Sequence, residues 1–483
     1  MEQPTQAARR VAVVGGGIAG LAAANRLVEL DPQCEVTLFE AAPRLGGVLE
    51  TVRRDGFEVE RSADNFITTI PWGLDLCRRL GLSGQLVQTN PQYRQTFVVR
   101  RGRLHKLPDG FLMMAPTRLW PLAVTPILSP MGKLRAAMEY FIPARRDDAD
   151  ESMARFVRRR LGREAFDRLV EPLVGAVYAA DMELLSVQAT LSRFRDMERQ
   201  HGSLIRAMRR QMRSRPTATK SESGARYSMF VTLREGLSSM VDALAARLPR
   251  NAARCNTTVT RLERLTAGWR VHFRNLSGEP GVQECDALIL AAPGHVTAEL
   301  LRPLDAELGT ELAGIEHSGT AIVSLGYDER RIGHRLDGMG AVVPSIERSP
   351  ILAISFSSRK YPHRAPGGKS LLRVFVGGAR RPELAELNDA ELLPLVEQET
   401  SRLLKIQGEP CFVDIAHWPR TMPQYHVGHK ERVARIRDRA AALGGLYLAG
   451  NSYQGVGIPD CIHGGETAAQ QALDGMSGNG TLQ

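Results

Sequence analysis

No two of the six cysteines (Cys34, Cys77, Cys255, Cys285, Cys411 and Cys461) stand at CxxC spacing. A structural zinc site and a disulfide framework therefore find no support, and a reducing cytoplasm suits the chain best. An apolar signal core is missing as well. Met1 to Arg10 is polar and the apolar run behind it ends in a glycine-rich turn, so export is not expected. No hydrophobic run is long and clean enough for a bilayer, because the nearest, Phe111 to Gly132, is broken by Pro116, Arg118, Pro121, Pro126 and Pro130. Trp120 beside Leu119 and Leu122, with basic flanks, suits a substrate-channel wall or a dip into one leaflet, and the prolines favour the wall. Internal repeats, low-complexity tracts and any Ser-His-Asp, Cys-His or paired-carboxylate arrangement are also absent.

What is present is a globular composition long enough for two or three domains and for burial of a large ligand. Lysine and arginine exceed aspartate and glutamate by 63 − 53 = 10, which favours anionic partners: nucleic acid, lipid headgroups or a polycarboxylate. The excess gathers at Arg100, Arg101 and Arg103, at Arg145 and Arg146, at Arg158 to Arg160, and around Arg206 to Arg215, each read first as a solvated helix face.

Arg10 to Val14 reads as a buried strand, Ile18 to Glu29 as a helix and Glu35 to Glu40 as a second strand, which together make one βαβ unit. From about Gly73 to Arg215 long arginine-rich amphipathic stretches separated by prolines predict an inserted helical region, with Lys220 to Gly224 as a linker. Leu237 to Leu248 is predicted helical. Val259 to Leu262, Arg270 to Phe273 and Ala287 to Ala292 are predicted strands that return the chain to its first unit. A sheet with strands at Ala321 to Tyr327 and Leu371 to Val376, and a helix at Asp389 to Leu404, comes next. Strand, glycine-rich turn and helix recur between Gly445 and Leu473.

Gly15, Gly17 and Gly20 fall between the first strand and first helix. The first glycine allows the tight turn, the second lets backbone approach a pyrophosphate, and the third seats the helix on the sheet, whose N-terminus offers free N–H groups. Ile18 and Ala19 open that helix. Glu40, twenty residues past Gly20, can accept hydrogen bonds from a ribose diol. Arg44, Gly46 and Gly47 follow at once, and this RxGG run resembles the flavoprotein amine-oxidase superfamily, which makes FAD the expected cofactor. Far downstream, Gly450 and Gly455 to Asp460 precede a helix whose N-terminus would face the flavin ring.

Longer blocks resemble the porphyrinogen oxidases of haem biosynthesis: GGGIAGL from Gly15, EPLVGAVYAAD from Glu171, FSSRKYPHRAPGGKSLLRVFVGG from Phe356, WPRTMPQYHVGH from Trp418, AGN from Ala449 and GVGIPDCI from Gly455. The resemblance implies an α/β fold (α+β overall). A discontinuous Rossmann-like FAD-binding domain would comprise 1–72, 225–302 and 430–483, a mixed-sheet substrate-binding domain 73–104 and 303–429, and a helical insertion 105–224. It implies six-electron oxidation of protoporphyrinogen IX or coproporphyrinogen III in three hydride steps to FAD, with O2 reduced to H2O2. Carried over by motif, the FAD contacts are Gly15, Gly17, Ile18, Ala19, Gly20, Glu40, Arg44, Gly46, Gly47, Val259, Ala292, Gly450, Val456, Gly457 and Ile458. No catalytic side chain is expected, because positioning a meso carbon against the flavin suffices.

Relatives of animal or plant type carry an arginine near the position of Thr96, and some bacterial ones a lysine-rich segment near Thr68 and Thr69. This chain has neither, so Arg94, Arg100 and Arg101 become the candidates for the substrate's propionates, with Tyr425 as a stacking residue. His426, His429 and His463 lack metal-ligand spacing, so no metal is expected. Nor is nucleic acid an expected partner; peripheral membrane contact through 105–160 and a homodimer are compatible with the sequence. Two alternatives stand here. One is an amine oxidase or carotenoid-type desaturase on the same scaffold, against which Asn451 and Tyr453 to Pro459 argue. The other is an anion-binding or membrane-associated module without flavin.

Overall fold

The computed structural model describes residues 8–116, 118–213 and 229–478. The linker expected at Lys220 to Gly224, the domain boundary at 224, and Arg215 lie outside the described residues.

Five parallel strands form the first sheet, in the spatial order Ala253–Arg254, Glu35–Phe39, Arg10–Val14, Ala287–Leu290 and Leu446–Leu448. Their near-continuous apolar character matches burial on both faces. The first helix (Ile18–Leu30) and the final helix (Ile458–Gly478) pack on one face through small residues. A side chain at Gly465 would collide with the Ala19 carbonyl. On the other face lie the helices Gly294–Leu301, Ala306–Ala313 and His429–Ala442 and an antiparallel meander of Thr258–Arg264, Trp269–Arg274 and Pro280–Cys285.

A seven-stranded sheet runs Phe412–Pro423, His317–Asp328, Lys369–Gly377, Ile351–Phe356, Gly340–Val342, Thr96–Arg100 and Arg103–Lys106. It is antiparallel except where Gly340–Val342 meets Thr96–Arg100. The helix Asp389–Leu404, started by an Asn388/Glu391 capping box, covers one face with Leu392, Val396, Leu403 and Leu404. Across the other face Ser355, Arg373, Ser324 and Asp414 stand opposite one another on four successive strands, beside Ala353, Phe375 and Ile322.

Short helices between Leu119–Val124 and Leu204–Arg213 make a third body around Phe156, Val157, Leu169, Val170 and Phe194. Its centre is polar: the buried Glu139 carboxylate accepts from Arg160 Nε at 2.8 Å, Ser203 Oγ at 2.6 Å and the Leu204 amide at 2.8 Å. That geometry satisfies a charge that would be costly if left alone.

Two boundaries differ from the sequence expectation at 72 and 302. Trp72–Arg79 buries Leu76 and Cys77 beside the first and final helices, and Leu86–Gln88 pairs with Phe230–Leu233, so the chain reaches the second sheet only at Thr96. Likewise Leu308, Leu312 and Ile315 pack beneath the first sheet, and the second sheet is re-entered at His317. In both places an amphipathic helix buries its apolar side against the nearer core.

Candidate active site

The turn after Arg10–Val14 is built almost entirely from backbone. Gly15 has φ +109° and abuts the Ala291 carbonyl, where a Cβ would sit 2.8 Å from carbon and oxygen alike. A Cβ at Gly20 would strike the Gly15 carbonyl oxygen, so the third glycine sets how tightly helix and turn close. Beside Gly17 there is open space, with nothing within 4 Å of a Cβ, and the first helix has neither a side-chain cap nor an acid in its first turn. Its N–H groups, including those at Ile18 and Ala19, are left for an anion.

The RxGG segment lies against this turn. Gly46 N–H donates to the Gly16 carbonyl at 2.8 Å, and a Cβ at Gly47 would lie 3.2 Å from Gly17 Cα. Arg44 donates to the carbonyls of Leu45 (3.1 Å), Leu49 (3.0 Å) and Gly47 (2.7 Å), holding the loop closed rather than reaching outward. The half-buried Glu40 carboxylate accepts the Gly16 amide at 2.6 Å and the Ala42 amide at 2.7 Å. Two strong charge-assisted bonds thus orient it at the rim and leave lone pairs for a diol. Val259 is buried beside Phe39 and Val14, and the Ala292 amide lies against Gly15.

The second turn is pinned by side chains. Gly450, at φ +109°, has the Ala291 carbonyl oxygen as the nearest neighbour of a Cβ, at 3.8 Å. Tyr425 O–H donates to the Asn451 carbonyl, and Asn451 Nδ2 donates to the Thr421 carbonyl at 3.1 Å. Ser452 Oγ accepts the Gly294 amide at 3.1 Å and lies 3.2 Å from His317 Nε2, while His317 Nδ1 lies 2.8 Å from the Ile315 carbonyl. The set closes when His317 is neutral with its proton on Nδ1. His429, stacked on Tyr425 with ring centroids 4.0 Å apart, contacts the Tyr453 carbonyl through Nε2. Burial lowers both imidazoles to about 4. Val456, Gly457 and Ile458 then enter the final helix, and Cys461 N–H closes its first turn on Gly457.

Ala291 therefore stands between the two turns: its carbonyl meets Gly15 on one side and Gly450 on the other, at the carboxyl edge of the parallel sheet. Residues 15–20 and 450–458 are brought to one place, and the open strip at Gly17, the free helix end and the fixed carboxylate fit a dinucleotide. A groove of about 570 Å³ follows the outer edge of Leu446–Leu448 between Trp72, Arg437, Tyr447 and His463. It touches Gly450 and Asp460 but not Gly17 or Glu40, so it is a surface cleft beside the dinucleotide track.

Beyond the final helix's N-terminus, Val456 joins Tyr178, Phe375, Leu173 and Leu191 in an apolar wall on the helical body. Burial pushes Tyr178 up to about 12, and the nearby Asp460 carboxylate adds to that. Asp460 itself is raised by burial. The expected propionate ligands lie elsewhere. Arg100 donates to the Pro126 carbonyl, Arg94 is exposed, and Arg101 is exposed at the tip of the edge hairpin with φ +50°. Tyr425 is buried with its hydroxyl on Asn451, so it serves the second turn. The roles of Ser452 and His317 gave no local signal in the sequence, because their partners are more than a hundred residues away.

The sequence profile of the flavin-containing amine oxidoreductases matches residues 18–473. The chain is 35% identical to the coproporphyrinogen III oxidase of Bacillus subtilis (strain 168), over 96% of this chain and 98% of that one. It is 29% identical to the chloroplastic protoporphyrinogen oxidase of Nicotiana tabacum, over 96% of this chain and 85% of the relative. A crystal structure from Exiguobacterium sp. 255-15, provisionally assigned as a protoporphyrinogen oxidase, superposes with a TM-score of 0.86 at 32% identity, over 97% of this chain and all of the other. The chain belongs to the flavin-containing amine oxidoreductase family, within its porphyrinogen-oxidase branch, and FAD is its cofactor.

Proposed function

We propose that this chain oxidises a porphyrinogen to the porphyrin in haem biosynthesis, with coproporphyrinogen III as the first candidate substrate and protoporphyrinogen IX as the second. The ranking follows the 35% identity to the Bacillus enzyme against 29% to the tobacco one. The observation that carries the reading is the meeting of the two glycine turns on Ala291. In it, Gly15, Gly17, Ile18, Ala19 and Gly20 cradle the pyrophosphate, Glu40 takes the ribose, and Arg44, Gly46 and Gly47 close the loop above. Val259 and Ala292 line the track, and Gly450, Val456, Gly457 and Ile458 flank the ring. Bound there, FAD supplies the hydride acceptor and passes electrons to O2, yielding H2O2.

The protein's own contribution is placement. The final helix points its N-terminal partial positive charge at the site, favouring negative charge that builds up there. The wall of Val456, Tyr178 and Phe375 excludes water and offers flat apolar surface to a tetrapyrrole. Three two-electron steps make six electrons, and no side chain of the chain is assigned a proton in them. The parallel sheet and its helices serve as the FAD-binding domain, the seven-stranded sheet as the substrate domain, and the helical body as its cover.

Residence in the cytoplasm with peripheral membrane contact completes the proposal. Among the described residues no helix is long and apolar enough to cross a membrane. Met131, Leu134, Met138 and Phe141 are spaced 3, 4 and 3 apart, as on one side of a helix, and stand exposed, as do Trp120 and Val124 earlier in the chain. Lys133, Arg145 and Arg146 flank them, and the one acid within residues 118–146, Glu139, is buried. That is an apolar stripe with a cationic rim, suited to an anionic leaflet. Flotation with phosphatidylglycerol vesicles, lost in Phe141→Ser, is expected. A shift to dimer on gel filtration that Phe141→Ser abolishes, without flotation, would assign the stripe to a second copy.

The reaction itself is tested by anaerobic bleaching of the bound flavin near 450 nm with each porphyrinogen in turn. Bleaching by coproporphyrinogen III with porphyrin appearing on admission of air is the expected result. Bleaching by monoamines and by neither porphyrinogen would overturn it.

A further inference from the structure

A porphyrinogen carries two or four carboxylates, yet the arginines the sequence singled out for them are committed or turned outward, as described above. The helix Ser192–His201 presents a different one. Along it Arg195 pairs with Glu198 at 2.5 Å and Arg199 with Asp148 at 3.1 Å, and on the neighbouring helix Met153–Leu161 Arg158, Arg159 and Arg160 all meet carboxylates. Arg193 is the exception. Among the described residues it makes no ion pair and no hydrogen bond; its guanidinium rests 4.8 Å from the centroid of the Phe194 ring.

Its place is the mouth of the apolar wall. Arg193 follows Leu191, a member of that wall, and Tyr178 O–H reaches the Thr190 carbonyl at 3.4 Å just before it. Tyr178 lies within electrostatic reach of both Arg193 and Asp460, the latter in the first turn of the final helix. Arg193 is solvent-accessible, yet its pKa is lowered, chiefly by burial. An unpaired guanidinium there lacks the counter-charge that every other arginine on its helix has, and a carboxylate is the planar anion it matches with two parallel N–H bonds.

We infer that Arg193 binds a carboxylate side chain of the tetrapyrrole and sets the ring's orientation over the site. The inference rests on the porphyrinogen reading above. Arg193→Gln and Arg193→Lys are the variants to compare, each checked for a wild-type flavin spectrum and melting temperature. With coproporphyrinogen III, the glutamine variant is expected to raise KM at least tenfold with kcat within about threefold, and lysine to restore most of the loss. Binding of the product porphyrin, followed by quenching of its fluorescence, should weaken in parallel. With the tetramethyl ester of the same porphyrinogen, which has no free carboxylate, the difference between wild type and the glutamine variant should vanish. An unchanged KM on the acid, or an equal loss on acid and ester, would overturn the assignment while leaving the porphyrinogen reading intact. Wild-type protein inactive on both acid and ester would instead remove that reading.

Discussion

The two glycine turns, proposed above to hold one FAD from opposite ends of the polypeptide, are held differently. The first is backbone against backbone: the three nearest neighbours of a Cβ at Gly15 are main-chain atoms, and Glu40 ties its carboxylate to two amides. The second is hung from side chains: Tyr425 and His429 each meet one of its carbonyls, and the Ser452 side chain ties it to the Gly294 amide and to His317. A pyrophosphate is read by N–H groups at fixed spacing, so its turn cannot yield. A flat ring is held by shape, and its turn can be adjusted by residues from elsewhere in the chain.

If that difference is real, the first turn should break hardest. Gly20→Ala drives a methyl into the Gly15 carbonyl oxygen, and neither helix nor turn can retreat. A loss of at least ~3 kcal/mol is expected, with colourless protein on purification. Normal FAD content in this variant would show that the first turn is as forgiving as the second. Glu40→Gln comes next. It keeps one acceptor oxygen but replaces a charged acceptor of two amides by a neutral one, so roughly 2 kcal/mol of holoprotein stability is expected to go. FAD affinity should fall roughly tenfold to thirtyfold, read by titration of apoprotein.

Acid should act on the second turn. Burial lowers His317 and His429 to about 4 from the ordinary 6.5. The unfolded chain therefore takes up these protons first. The contribution is fully present above about pH 6.5 and is lost as the pH falls toward 4. Partial exposure of His317 reduces its share to on the order of 1–2 kcal/mol. His429→Phe keeps the stack on Tyr425 and removes one titration, so its melting temperature should fall less steeply between pH 6.5 and 4 than that of wild type. Parallel curves would mean that His429 carries no such load.

The same contrast explains what could be read from the sequence. Gly15, Gly17, Gly20 and Glu40 sit within thirty residues and speak through backbone geometry, so strand, turn, helix and acid were legible together. So was the helix Asp389–Leu404, whose capping box is local. The lobe boundaries at 72 and 302 were not, because Leu76 and Leu308 choose their core by contacts distant in sequence. Ser452, His317 and Arg193 were silent for the same reason. A serine, a histidine and one arginine among many acquire meaning only when folding sets Ser452 against Gly294 and leaves Arg193 without an acid among the described residues.

Gly457→Ala is the mildest change and separates the turns most cleanly. It too is a glycine at the start of a helix proposed to face the cofactor, and by motif alone it should matter as much as Gly20. The structure argues otherwise. Gly457 does not occupy the left-handed region, and a Cβ there would meet only Asp460 Oδ2, at 3.0 Å, and Pro459 Cδ, at 3.7 Å. The first is the tip of a side chain that can rotate by a few tenths of an ångström. Loss of flexibility in the unfolded chain would offset part of the crowding. The expected change is within about 0.5 kcal/mol in thermal unfolding, with FAD retained and a shift of a few nanometres in the flavin absorbance as the ring adjusts. If Gly457→Ala instead came out as empty of flavin as Gly20→Ala, the second turn would also be a backbone cradle, and its side-chain supports would be secondary.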